Sequence, residues 1–276
     1  MSTFGEILRT AGNYLKQHAI ADADVDAWYL LVHVFGINRA DFYLHREEEA
    51  PKIQEEAYME LVEQRAKHIP LQLITGTQEF MGLEFDVTSD VLIPRQDTEV
   101  LVEEVLKVCN QTSVLDMCTG SGCIIISLAK LGNIRKAVGA DLSDKALKIA
   151  EKNAGKHNIK VEFIRSNLFE KIEGVYDIVV SNPPYIPSGE IKGLMPEVRD
   201  HEPIMALDGD QDGLAFYRRI AEEGKDHLKE NGTIFFEIGY NQAQDVKEIL
   251  RNAGFGDIKI RKDLSGLDRV VSGRRL

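Results

Sequence analysis

The apolar run YDIVVS ends in Asn182-Pro183-Pro184-Tyr185. Proline cannot donate a backbone hydrogen bond and is a poor strand residue, so the tetrapeptide reads as a rigid corner after a buried strand. Its chemistry is that of acceptors. The Asn182 side chain offers an amide oxygen, and Pro183 offers a backbone carbonyl held in a fixed direction. Two acceptors side by side match the two N–H bonds of a planar amino group, and Pro184 and Tyr185 complete the corner, with Tyr185 able to stack on a flat guest. The guest predicted is an –NH2 conjugated to a π system: a carboxamide, an adenine or a cytosine. Such a nitrogen is a poor nucleophile. Hydrogen bonds to both its protons push density onto it and stabilise the positive charge that grows during attack. Proximity to an electrophile supplies much of the rest. The corner holds no carboxylate, so no general base is assigned to it.

A second set of residues reads as a ligand cradle. Cys118-Thr119-Gly120-Ser121-Gly122 follows the short apolar strand SVLDM and opens a helix. Glycines there admit close backbone approach, and a helix N-terminus favours negative charge. A dinucleotide fingerprint needs a further glycine three residues after Gly122, and that position is Ile125. A pyrophosphate turn is therefore not supported. Asp141 ends the next strand, 19 residues after Gly122, where an acid accepts hydrogen bonds from two ribose hydroxyls. At the end of the third strand, Asn167 could read an adenine edge and Leu168 could pack on its face. A Gly-x-Gly turn alone is a common strand-to-helix connection; Asp141 at this spacing is what gives it weight. The ligand predicted is an adenosine without a pyrophosphate.

The elements that must position these residues alternate. From residue 113, SVLDM, KAVGAD, VEFIR, YDIVVS and TIFFEIG read as strands, separated by helical patterns. Among those helices, GLAFYRRIAEEGKDHLKENG is read as one continuous element. DIKIRKD and DRVVSGR close the chain as two more strands. Alternating strands and helices predict an α/β, doubly wound, mostly parallel sheet, whose ligands bind at the carboxyl ends of its strands. Ahead of it, residues 1–70 read as a small helical bundle. Thr3 with Glu6 forms a capping box, Asp22 or Asp24 caps a second helix that ends at Gly36, and a third stops before Pro70. Residues 71–95 are punctuated by Gly76 and Gly82 and rich in β-formers, which predicts a β-hairpin linker. The catalytic domain then spans 96–276.

The chain has 276 residues with a net charge of −12. The acidity is spread out: residues 1–75 carry 7 basic and 12 acidic side chains. A protein that grips nucleic acid by its phosphates usually shows a basic stripe, and none stands out. No signal-peptide core or stretch long enough for a membrane span is present. Cys109, Cys118 and Cys123 have no zinc spacing, and no histidine shows ligand spacing, so no metal is expected. The thiols are expected to be buried in a reducing cytoplasm.

The glycine loop, the ribose acid and Asn-Pro-Pro-Tyr together resemble the class I S-adenosylmethionine-dependent methyltransferases that act on amino nitrogens. With GTQEFMGLEFDVTSDVLIPRQDTE and HEPIMALDGDQDGL added, the chain is similar over nearly its full length to the PrmC/HemK family of release factor glutamine methyltransferases. The resemblance implies a Rossmann-like, seven-stranded class I methyltransferase domain whose sheet ends in an antiparallel strand. It implies S-adenosyl-L-methionine as cofactor, S-adenosyl-L-homocysteine as product, and methylation of the glutamine side-chain amide nitrogen in the GGQ loop of class I release factors. Cys118 to Gly122 would line the methionine end, Asp141 would take the ribose, and Asn182 to Tyr185 would hold the amide, with Asn182 also bordering the cofactor. Phe80 would help enclose the methyl region, and the bundle would contact the release factor. A monomeric, cytoplasmic enzyme with no direct nucleic-acid partner and no membrane partner is expected.

Three positions depart from the family pattern. Cys118 stands where glycine is common, Asn167 where an acid is usual, and IPRQDTE replaces IPRPETE. The corner alone leaves other readings open: a glutamine methyltransferase of a ribosomal protein, an adenine-N6 DNA methyltransferase, or a non-catalytic adenosine-binding protein. The last would leave Asn182 and the prolines without work, and the DNA enzyme would need a target-recognition region that the acidic bundle does not resemble.

Overall fold

Thr3 accepts a hydrogen bond from the Glu6 amide while the Glu6 carboxylate accepts from the Thr3 amide. This capping box starts α1 (Phe4–Gln17). The computed structural model describes residues 2–276, which form two units. The first comprises residues up to Gly76 together with Met195–His201. After α1 come α2 (Ala23–Phe35), α3 (Arg39–His45), α4 (Lys52–Ala66) and α5 (Leu71–Thr75). Asp22 sits at the N-cap of α2 without a side-chain cap bond, and Gly36 ends that helix at φ +64°. Ala11, Leu15, Leu30, Leu31, Tyr58 and Val62 form its core.

Residues 71–75 are helical rather than extended because Leu71 and Ile74, three apart, pack on that core, and Gly76 terminates the turn at φ +79°. Within the same unit, buried Arg65 donates to Asp26 at 2.7 Å and to Glu197 at 3.1 Å. Glu197 lies on the short α9 (Pro196–Arg199), which this pairing pins down.

The second unit opens with the hairpin β1 (Thr77–Phe80) and β2 (Leu83–Asp86). Then follow α6 (Glu99–Leu106), β3 (Ser113–Met117), α7 (Cys123–Leu131), β4 (Lys136–Asp141), α8 (Asp144–Lys156), β5 (Glu162–Arg165) and β6 (Tyr176–Ser181). After residues 182–214 come α10 (Ala215–Gly224), β7 (Leu228–Glu237), α11 (Ala243–Asn252), β8 (Phe255–Lys262) and β9 (Asp268–Arg275). The seven-stranded sheet has the order β5-β4-β3-β6-β7-β9-β8. Strands β3 to β7 pair in parallel, and β9 runs antiparallel between β7 and β8.

Helix α10 is shorter than its pattern predicts. Turns from Glu223 and Gly224 close the helix, and Leu228, fully buried, turns the following residues into the start of β7. β3 is buried along its whole length, as a central parallel strand covered on both faces must be. Chain order reverses direction between β3 and β6, so the switch point of the sheet lies where the glycine loop and the Asn-Pro-Pro-Tyr corner emerge. No described helix is long and apolar enough to cross a membrane.

Candidate active site

β3 delivers its loop in a tense conformation. Cys118 adopts φ +62°, Gly120 +55° and Gly122 +79°. The left-handed region favours glycine, so Cys118 holds a conformation that a Cβ makes unfavourable. Its neighbours over-determine it. The Thr119 amide donates to Ala140 O at 3.0 Å, and the Thr119 hydroxyl donates to the buried Asp116 at 2.6 Å. Burial lifts Asp116 to about 7.

The two glycines of the loop serve different ends. A Cβ on Gly120 would meet nothing within 4 Å, which leaves that face open to a guest. A Cβ on Gly122 would fall 2.9 Å from Ile126 and 3.1 Å from Ala150. Gly122 therefore allows α7 to pack against α8, and it does not border the cavity. Buried Asn153 on α8 completes the brace, donating to Ser121 O at 3.0 Å and bonding the Asp86 backbone at 2.8 and 3.1 Å. No local pattern marks Asn153, since its partners are far away in sequence.

Asp141, at the end of β4, points its carboxylate back at the loop. Oδ2 accepts from the Gly120 amide and Oδ1 from the Ser143 amide, each at 2.9 Å. Burial raises its pKa against the pull of these backbone donors. The Leu142 amide faces the carboxylate as well, and an ionised carboxylate, with about four lone-pair sites, still retains acceptor capacity for hydroxyls.

A cavity of ≈ 470 Å³ lies over these strand ends, within the usual range for a small-molecule site. Its lining follows the strand order: Asn167 and Leu168 after β5, Asp141 at the end of β4, Cys118, Thr119, Gly120 and Ser121 after β3, then Asn182 and Pro184 after β6. The walls also include Leu142, Ser166, Arg95 and Thr98, which the sequence patterns do not single out. Leu142 is 49% exposed directly after Asp141, an apolar surface on which a flat ring can rest. Asn167 borders the cavity, but its amide donates to Glu170 at 2.6 Å and accepts from Arg219 at 3.5 Å. One Nδ2 N–H and one Oδ1 lone pair are thereby taken, which leaves one of each for a base edge and holds the amide in one direction. Leu168 is 4% exposed at φ +50°.

At the corner, Asn182 is half-buried and donates to Thr98 Oγ1 at 3.4 Å, with Pro183 and Pro184 buried beside it. Pro183, predicted to face the substrate, is not a wall of the cavity, and two predicted aromatic residues lie elsewhere. The Tyr185 ring packs against the main core, its hydroxyl pKa raised by burial, and it is not a wall of the cavity. Phe80 is 1% exposed, faces Phe85 at 6.1 Å between ring centres, and belongs to the core under α6 and α7. In both cases apolar packing claims the ring.

The ALDGDQDG stretch is the corner's support. Parallel bridging joins Ile186 to Asp208, with Ile186 donating to Leu207 O at 3.0 Å and Gly209 to Ile186 O at 2.8 Å. A Cβ on Gly209 would lie 2.9 Å from Pro184 O, and one on Gly213 only 2.3 Å from Tyr185 O. Gln242 then bonds both Tyr185 O, at 2.9 Å, and Gly213 O, at 3.3 Å. Arg95 pairs with buried Glu202, tying the VLIPR segment to the HEP segment at the cavity. Among the described residues, no group of three His, Cys, Asp or Glu side chains could hold a metal.

Strand order, antiparallel insertion and a cavity at the switch point define the class I methyltransferase fold. The family model described as the PrmC N-terminal domain matches residues 6–76, and that of the methyltransferase small domain matches residues 80–195. A release factor glutamine methyltransferase of Geobacter sulfurreducens is 40% identical over 274 residues, covering 99% of this chain and 96% of that protein. One of Clostridium acetobutylicum is 43% identical over 254 residues, 89% of each chain. Among solved structures, a methyltransferase from Pyrococcus furiosus aligns with a TM-score of 0.55 at 17% identity, over 70% of this chain and 89% of that one; it shares the fold. The chain belongs to the release factor glutamine methyltransferase family.

Proposed function

We propose that the chain transfers the methyl group of S-adenosyl-L-methionine to the side-chain amide nitrogen, N5, of the glutamine in the GGQ loop of class I peptide chain release factors. The observation that carries this reading is a single cavity lined by Asp141 and the glycine loop, at the ends of β4 and β3, and by Asn182 and Pro184 after β6. The residues fit the cofactor: Asp141 retains free lone pairs for ribose hydroxyls, Gly120 leaves its face open, and Leu142 and Leu168 offer apolar surface to a ring. When bound, S-adenosylmethionine supplies the methyl group as an electrophile.

Asn182 Oδ1 and the Pro183 carbonyl hold the two amide protons. This fixes the nitrogen's lone pair toward the glycine loop and stabilises the charge that develops there. Cys118 to Ser121 border the methionine end. As the nitrogen gains the methyl, S-adenosyl-L-homocysteine would be the leaving group and the one N–H proton lost would pass to solvent, since no side chain is assigned as base. The helical unit, which runs to Gly76, supplies the contact with the release factor, and the β1–β2 hairpin that follows it opens the catalytic unit.

The test is a transfer assay with methyl-labelled S-adenosylmethionine, offering a release factor, its GGQ glutamine-to-alanine variant, ribosomal protein and duplex DNA in parallel. Label on the release factor, lost in the variant, is expected. Label on ribosomal protein alone or on DNA alone would overturn the reading.

A further inference from the structure

Glu237 ends β7 and is 2% exposed. Its Oε2 has no hydrogen-bond partner, a costly arrangement for a buried carboxylate. The full cation nearby, Arg269, is committed elsewhere, to Asp97 at 3.1 Å and Asp263 at 3.0 Å. Register explains what the carboxylate faces. Ser181 on β6 pairs with Phe236 on β7, so the next residues, Asn182 and Glu237, stand side by side at the carboxyl ends of adjacent strands. Thr98 and Asn182 are the neutral polar side chains that favour its charged form, and the two meet each other at 3.4 Å. Its backbone is fixed as well: Tyr217 donates to Glu237 O at 2.9 Å, and Ile238 donates to Arg269 O at 2.9 Å.

We infer that Glu237 is a positioning residue which, acting through Thr98, sets which end of the Asn182 amide faces the cavity. The inference rests on the proposed role of Asn182 as acceptor for the substrate amide. An amide can be turned either way round without changing its shape, so its neighbours must select the orientation. An ionised carboxylate only accepts. It accepts a hydrogen bond from the Thr98 hydroxyl, and Thr98 Oγ1 is then left to accept from Asn182 Nδ2, the contact seen at 3.4 Å. Asn182 Oδ1 is thereby turned to the cavity as an acceptor. A protonated Glu237 can instead donate to Thr98, whose own proton is then free for Asn182 Oδ1. The amide then turns round and presents donors to a substrate that itself brings only donors.

Burial raises the Glu237 pKa to about 7, so both states are accessible near neutrality. The titratable and charged groups facing Glu237 are Arg269 on β9, Asp97 in the turn before α6, Tyr185 at the corner, Tyr217 on α10 and Cys123 on α7. Burial holds both tyrosine hydroxyls and the thiol above their ordinary values, the Cys123 thiol at about 12, which leaves the carboxylate as the member that changes charge near neutral pH.

The experiment has two arms on the full chain. In the first, the ¹⁵N–¹H resonances of the Asn182 side chain, assigned by their loss in Asn182→Ala, are followed from pH 5 to 9 without cofactor. They should titrate with a midpoint near neutrality in the parent and lose that step in Glu237→Gln. A flat parent titration overturns the inference whatever the substrate is. In the second, methyl transfer to a release factor is measured against pH. Glu237→Gln and Thr98→Val should lower kcat by on the order of 10–100-fold, with KM and S-adenosylhomocysteine affinity within about three-fold, and should remove the acidic limb of the kcat profile. Thr98→Ser should restore most of the loss. Because Thr98→Val leaves the carboxylate in place, it carries the test if Glu237→Gln does not fold. Unchanged kcat and profile in Thr98→Val would overturn the inference. Resonances that titrate in a parent that does not methylate the release factor would leave Glu237 positioning Asn182 and overturn the substrate assignment alone.

Discussion

The Gly120 amide donates to Asp141 Oδ2 at 2.9 Å, so the loop after β3 and the acid after β4 form one rigid element. The acid thus has two tasks, to shape the loop and to present its remaining lone pairs to the cavity. Asp141→Ala removes both. Cofactor affinity measured by calorimetry should fall by on the order of 10–100-fold, the range for a lost hydrogen bond to a charged group. Unchanged affinity would remove Asp141 from the ribose site.

Gly213 carries the tightest approach at the corner, with φ +72° and a Cβ position 2.3 Å from Tyr185 O. Gly213→Ala must push the ALDGDQDG loop off the corner. Stability should drop by about 2–3 kcal/mol and turnover should fall with it, while cofactor affinity stays within a few-fold because Asp141 is untouched. Thermal unfolding read beside calorimetry checks this. A stable, active Gly213→Ala chain would show that the loop does not support the corner.

Cys118 holds a left-handed conformation, which costs roughly 1–2 kcal/mol for a residue with a side chain. Cys118→Gly relieves it but loses packing against the core, so stability should stay within about 1 kcal/mol of the parent. Cys118→Val adds a β-branch to the same conformation and should be clearly less stable than Cys118→Gly. Equal melting temperatures for the two variants would contradict the strain argument.

Asp116 has a pKa of about 7 in the folded chain against an ordinary value of 3.8, because it is buried. Between those values the folded chain keeps a proton that the unfolded chain has released. Stability therefore falls as pH rises from about 4 to about 7 and levels off above. Glu237, at about 7 against 4.5, adds a contribution of the same sign. Asp116→Asn is neutral throughout, so denaturant titrations should show a shallower pH slope and greater stability than the parent at pH 8. Identical slopes in the two chains would contradict the assignment.

Much of this architecture was legible before any coordinates. Strands β3 to β6 and the helices between them follow from apolar runs, from Ser143, whose hydroxyl caps α8, and from Gly132 at the end of α7, all local signals. The cradle residues Thr119, Gly120 and Asp141 follow from spacing along a doubly wound fold. The beginning of β7 was not legible, because HLKEN carries a helix-compatible polar pattern and only pairing with β6 makes Leu228 a strand residue. Nor was the placement of aromatic rings. Tyr185 and Phe80 sit in sequence beside the corner and the linker, yet their burial is decided by long-range packing. Thr98 and Glu237 were invisible for a related reason: they meet Asn182 from 84 and 55 residues away, through strand register rather than motif.

In the proposed reaction, Asn182 presents an acceptor to the amide nitrogen at the moment of methyl transfer. Single-turnover methylation of a release factor by Asn182→Ala, with cofactor affinity measured on the same preparation, tests it most directly. The expected rate is lower by on the order of 10²–10³ with cofactor affinity within a few-fold, as for loss of one preorganised hydrogen-bonding group. A parental rate in Asn182→Ala would contradict it.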